Sequence, residues 1–182
     1  AHATSKLQKV TQLNAIETLG FRGEALASIA SVSRLSICTR ATTAKRTAES
    51  GAMIEASGDQ VNGPMPWSGA PGTVIEVRDL FFNIPARRKF LRGAATEFGH
   101  ISDIVARIAM VHADKSFKLL HNKRTAIDVT AAEGVAARRQ RCVQILGKEL
   151  NKALLEFEHL EPSTPDGAVV WGLAGLPAIA RA

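Results

Sequence analysis

Residues able to do chemistry gather in three places in this chain. The first is Gly20-Phe21-Arg22-Gly23-Glu24-Ala25-Leu26. A helix N-terminus leaves backbone N–H groups unpaired and carries partial positive charge, and glycines ahead of it let an anion approach the backbone closely. Two glycines running into a stretch of good helix formers therefore suit a phosphate. Spacing alone describes a tight turn before an ordinary helix equally well. The other two places are basic. Residues 78–92 hold five cations against Asp79, and residues 138–152 hold five against Glu149, a net +4 in each. Arg87, Arg88 and Lys89 in the first, and Arg138 and Arg139 in the second, are candidates for sequence-independent contact with DNA phosphates. No aromatic interleaving points to base stacking. The competing readings are structural: Arg87 and Arg88 cap carbonyls or pair with an acid such as Glu97, and Arg138 and Arg139 lie on a solvated helix face.

Two cysteines, Cys38 and Cys142, share no metal-ligand spacing and read as reduced, buried thiols. His100, His112, His121 and His159 are scattered, so no metal site is expected, and no Ser-His-Asp arrangement can be argued.

The full string from Gly20 to Ile29, Gly-Phe-Arg-Gly-Glu-Ala-Leu-Ala-Ser-Ile, closely resembles the third motif of the GHKL ATPases in its MutL-type mismatch repair form. That superfamily also holds type II topoisomerase and heat-shock chaperone ATPases. His2-Ala3-Thr4-Ser5-Lys6 resembles the lid upstream of the glycine loop, and Gly72-Thr73 resembles the fourth motif. The run from Asp79 through Phe82-Asn83-Ile84-Pro85-Ala86-Arg87-Arg88-Lys89 to Leu91 resembles a segment characteristic of MutL and its eukaryotic relatives, and argues against a topoisomerase-like member. The likeness extends from residue 2 to about residue 130.

The resemblance implies roles for matching positions. Thr4, Ser5 and Lys6 would belong to the lid that closes over ATP, with the Lys6 ammonium neutralising phosphate charge. Gly20, Phe21, Arg22, Gly23, Glu24, Ala25 and Leu26 would line the phosphate side, mainly through backbone N–H groups. Thr73 would sit near the base and join a hydrogen-bond network by its hydroxyl. Beside these stand plainer readings, a solvated terminal lysine for Lys6 and an ordinary strand residue for Thr73. The family's water-activating Glu, magnesium-holding Asn and Asp-x-Gly-x-Gly adenine motif lie upstream of the lid, and no Asp-x-Gly-x-Gly occurs in this chain. No catalytic residue is therefore assigned. ATP and magnesium are expected for the intact protein, with weak or absent binding and no hydrolysis by this chain alone. The implied partners are DNA, a mismatch-recognition protein, downstream repair enzymes and a second copy joined through the N-terminal region on ATP binding. The implied place is the bacterial cytoplasm, at the nucleoid. The rival reading is a nucleic-acid-binding and protein-interaction module without its own nucleotide site.

Elements must hold these residues in place. Glu24 to Val32 reads as a helix, with Leu26, Ile29 and Ala30 at helical spacing. Alternation of Leu35, Ile37 and Thr39 with Ser36, Cys38 and Arg40 gives a strand, and residues 52–57 a returning one. Seven glycines and prolines make residues 58–72 a long surface loop. Residues 73–80 alternate again. Pro85 suits a helix start, and Phe98, Ile101, Ile104, Val105 and Ile108 form one apolar stripe on the next helix. Residues 117–121 and 125–129 form a hairpin around Asn122-Lys123. A helix over 138–146, with Val143 and Leu146 inward, precedes strands at 153–160 and 168–173.

The pattern is α+β, a layered sandwich. The resemblance makes it part of a GHKL (Bergerat-type) α/β sandwich, followed by the start of a ribosomal-protein-like βαβ transducer domain. The expected division is 1–130 for the ATPase domain, 131–137 for a linker and 138–182 for the second, DNA-binding domain. A hydrophobic share of 46% and a formal charge of +6 suit a globular chain, and no apolar run reaches membrane-span length. With no initiator Met, both ends read as cuts through a longer protein.

Overall fold

The computed structural model describes residues 20, 22–42, 49–134, 136–161 and 168–177. It divides into two compact units, Ala1–Leu91 and Arg92–Ala182. Both mix helix and strand, so the α+β class holds.

In the first unit, α1 (Ala25–Ala30) leads into β1 (Arg34–Arg40), β2 (Gly51–Ser57), β3 (Gln60–Trp67) and β4 (Gly72–Arg78), and α2 (Pro85–Lys89) follows. The strands form one antiparallel sheet in the order β3-β2-β1-β4. Register puts Leu35 beside Ala56 and Val77, and Ile37 beside Ile54 and Ile75, so one face is apolar. Arg34, Ser36, Glu55, Ser57, Glu76 and Arg78 occupy the other. The tightest packing is at Leu35, Ala56 and Ser33, all buried.

The loop expected over 58–72 is instead mostly the strand β3, a correction with a clear cause. Proline lacks the N–H that an interior strand needs, and is tolerated at an edge or a bulge. β3 is an edge strand, and its register with β2 slips between Met53 and Glu55, opposite Gly63 and Pro64. α1 is also shorter than expected. Val32 N–H bonds the Ile29 carbonyl at 3.2 Å and the Ser33 hydroxyl bonds the same carbonyl at 2.7 Å, which closes the helix before β1.

In the second unit, α3 (Ala94–Val111) is followed by the hairpin β5 (Phe117–His121) and β6 (Arg124–Val129). Asn122 and Lys123 both have positive φ, as a two-residue hairpin turn requires. Next come α4 (Ala137–Leu146), a short 3₁₀ turn and the pair β7 (Leu154–Glu161) and β8 (Ala168–Gly175). Two inward faces differ from the sequence reading. On α3, Ala109 is fully buried while Ile101, Ile104 and Ile108 stay exposed, so the bulky stripe is not the packed one. On α4, Leu146 is exposed, and the buried pair one turn apart is Ala137 and Arg141. Among the described residues no helix is long and apolar enough to cross a membrane.

Candidate functional site

The glycine string forms a bend into α1. Gly23 has φ 68°, left-handed backbone that glycine adopts without penalty. Glu24 takes the N-cap position, without a side-chain capping bond, and Ala25 and Leu26 open the helix. Gly20, Arg22, Gly23, Glu24, Ala25 and Leu26 are all exposed at this bend. Phe21, and the lid residues Thr4, Ser5 and Lys6, lie outside the described residues.

Thr73 sits elsewhere on the same sheet. It pairs with Thr39 across β4 and β1, and the two hydroxyls meet at 2.8 Å. α1 joins β1 at its other end, ahead of Arg34. The Thr73 hydroxyl is thus engaged within the sheet, with Thr39.

The segment between β4 and α2 grips the α1–β1 turn. Phe81 N–H donates to the Val32 carbonyl at 2.6 Å, and the Asn83 side-chain amide donates to the Ser31 carbonyl at 2.8 Å. Arg34 lies 3.5 Å from the Asp79 carboxylate, with its guanidinium carbon 5.5 Å from the Phe82 ring centroid. This ion pair is well exposed and contributes little by itself. The sequence reading quoted Asn83 as a family-like residue without giving it a role. No local signal reveals that role, because its partner lies 52 positions away.

The basic residues separate sharply. Arg87, Arg88 and Lys89 fill the last turn of α2, exposed, where cations favour the negative helix end. Among the described residues they make no ion pair. Glu97 instead accepts from the Arg92 backbone N–H at 3.0 Å. On α4 the arginines are engaged within the unit. The Arg138 guanidinium stacks 3.5 Å from the Trp171 ring centroid. Arg139 donates to the Asn151 and Leu154 carbonyls at 2.7 and 2.6 Å. Arg141 is 1% exposed, and its two terminal nitrogens donate to the carbonyls of Ala109, His112, Ala113, Lys115 and Thr130 at 2.7–3.1 Å. Ala109 and His112 lie at the C-terminal end of α3, so the cation also meets the negative end of that helix. Its Nε has no hydrogen-bond partner among the described residues. The spacing of Ala137, Arg141 and Ile145 on one helix face was the available signal for this inward arginine.

Cys38 and Cys142 are free and half-buried rather than buried, and burial pushes the Cys142 thiol above its ordinary pKa. His121 stacks on Phe98 with ring centroids 4.1 Å apart. Among the described residues no group of His, Cys, Asp and Glu is placed to hold a metal. Hollows among the described residues include one of about 420 Å³ on the polar sheet face, one of about 440 Å³ beside Cys142, Phe157 and Trp171, and one of about 530 Å³ beside Phe98 and His121. None of these three is lined by a residue expected to hold nucleotide.

No protein-family model matches the chain. Among curated proteins it is 44% identical over 185 residues to the DNA mismatch repair protein MutL of Herminiimonas arsenicoxydans, an alignment covering 100% of this chain and 28% of that protein. It is 42% identical over 183 residues to MutL of Pseudomonas fluorescens, covering 99% of this chain and 27% of that protein. The chain thus spans little more than a quarter of the curated relatives it matches. Among solved structures it resembles the Aquifex aeolicus MutL ATPase domain complexed with ADP. That match has a TM-score of 0.62 and 24% identity, and covers 84% of this chain and 56% of that one. It is a likeness of fold.

Proposed function

Because the chain belongs to the MutL family of DNA mismatch repair proteins, we propose that it forms part of the family's ATP-binding region. That region couples nucleotide-driven lid closure and dimerisation to DNA and repair-partner binding. The observation that carries this reading is the 44% identity with a curated MutL in an alignment that covers the whole chain. The ADP held by the Aquifex domain supports a nucleotide as the ligand of this region.

Gly20 to Leu26 form one wall of the phosphate site in this reading. A glycine with positive φ before a helix fits close approach of an anion. Thr4, Ser5 and Lys6 close over it, and Thr73 stands near the base. Among the described residues no group of three or more His, Cys, Asp or Glu is gathered, and no magnesium ligand is assigned to them. No hydrolytic step is assigned to these 182 residues. Residues 1–130 belong to the ATPase domain, 131–137 link, and 138–182 open the second domain. The protein works at bacterial DNA in the cytoplasm.

For DNA contact, the cations of α2 are the better candidates. Among the described residues Arg87, Arg88 and Lys89 make no ion pair, whereas Arg139 is occupied by carbonyls and Arg138 by Trp171. The purified chain is expected to show no magnesium-dependent ATP turnover above background. Turnover that disappears on changing Lys6→Ala or Arg22→Ala would overturn the assignment of no hydrolysis.

A further inference from the structure

α1 is too short to hold itself. Six residues make fewer than two turns, and isolated helices of that length are unstable in water. None of its residues is buried, and no side chain caps its start. Its place must come from what grips it, and at the C-terminal end the grip is visible. The Asn83 amide donates to the Ser31 carbonyl from 52 residues away, next to the bond from Phe81 N–H to the Val32 carbonyl. A helix end leaves carbonyls without intrahelical partners, so a donor there satisfies a group that would otherwise rely on water.

The segment that presents Asn83 is held in an unusual shape. Asp79 and Phe81 both have left-handed backbone, at φ 52° and 62°. A bulky residue such as Phe rarely adopts it, and such conformations persist where surroundings over-determine them. Here Phe82 N–H bonds the Asp79 carbonyl and Ile84 N–H bonds the Phe81 carbonyl, at 2.9 and 3.1 Å. The β2–β3 turn adds a wall, because a Cβ on Gly58 would lie 3.6 Å from the Asn83 amide nitrogen. The turn is thus a braced support that ends in one carboxamide.

We propose that Asn83 is a positioning residue for the glycine string. It fixes the C-terminal end of α1, and through this six-residue rod it sets where Arg22 to Leu26 lie at the other end. The inference rests on reading Gly20 to Leu26 as a phosphate wall for its functional meaning, but its geometry stands apart from any ligand. Asn83→Asp tests it with nearly unchanged shape, since an ionised carboxylate accepts and cannot donate to a carbonyl.

The experiment is amide hydrogen exchange and amide resonance mapping of the 182-residue chain without nucleotide, in wild type, N83D, N83A and N83Q. Ser28 and Ser31 report on α1, their N–H groups bonding the Glu24 and Ala27 carbonyls. N83D and N83A are expected to lower their protection about fivefold, the worth of one neutral hydrogen bond. They are also expected to move the resonances of Arg22, Gly23 and Glu24 while the β1–β2 amides keep their protection. N83Q keeps the donor and restores both in part. Unchanged Ser28, Ser31 and loop signals in N83D and N83A would overturn the inference. So would an equal loss across β1 and β2, which would make Asn83 a general fold residue. Because no nucleotide is used, either failure leaves the phosphate reading to its own test by ATP binding.

Discussion

Replacing Arg141 by Met keeps length and apolar stem while removing every donor. In the structure those donors serve five carbonyls from three stretches of chain: the end of α3, the loop after it, and the end of β6. A desolvated carbonyl left without a partner costs about 1–3 kcal/mol, and some of the five will regain water. Removing a buried cation also returns part of its desolvation cost. The net expectation is a loss of about 3–5 kcal/mol. A unit of about 90 residues has roughly 5–13 kcal/mol in total. At about 4–8 °C per kcal/mol for a unit this size, the melting temperature should fall by about 12–40 °C. Arg141→Lys offers three donors from one point and should cost about half as much. The assay is thermal and urea unfolding read from Trp171 in a Trp67→Phe background. An R141M chain that melts with the wild type but binds DNA more weakly would refute this structural role and make Arg141 a DNA contact.

Three further outcomes are expected. The triple change R87A/R88A/K89A should reduce the slope of log affinity for duplex DNA against log salt by about 2–3, with little change in melting. An unchanged slope in filter binding would remove α2 from the DNA surface. A double-mutant cycle on Thr39→Val and Thr73→Val should give a coupling of about 0.5–1 kcal/mol by urea unfolding, and none if the 2.8 Å contact is not formed in solution. Cys142, its pKa raised by burial, should react with iodoacetamide more slowly at pH 8 than a free thiol. The linkage has the matching sign: stability is full below the pKa of the unfolded thiol and falls as pH rises through the raised folded value.

The sequence revealed most where one residue dictates backbone geometry. Asn122-Lys123 between alternating runs marks a hairpin because the turn demands positive φ at both, and both have it. Gly23 before a helix was legible for the same reason. β3 was hidden because the glycines and prolines that signal loops also suit an edge strand with a bulge, and only its pairing with β2 decides. Arg141 was hidden by its charge, which local reading sends to the surface. Its burial depends on carbonyls brought together by α3 and β6, at sequence separations up to 32. The candidate site could be proposed as a string from Gly20 to Leu26, but its support could not, since Asn83 and Ser31 meet only after folding.

The proline-bearing strand has one more consequence. A sheet grows by offering a row of free N–H and C=O groups to a newcomer. Along β3, Pro64 and Pro66 remove donors and the bulge bends the line, so a flat strand cannot dock along its length. The opposite border, β4, holds seven residues without proline, with Val74, Ile75 and Val77 exposed. Among the described residues the sheet therefore has one border closed to recruitment, at β3, and one without such a block, at β4.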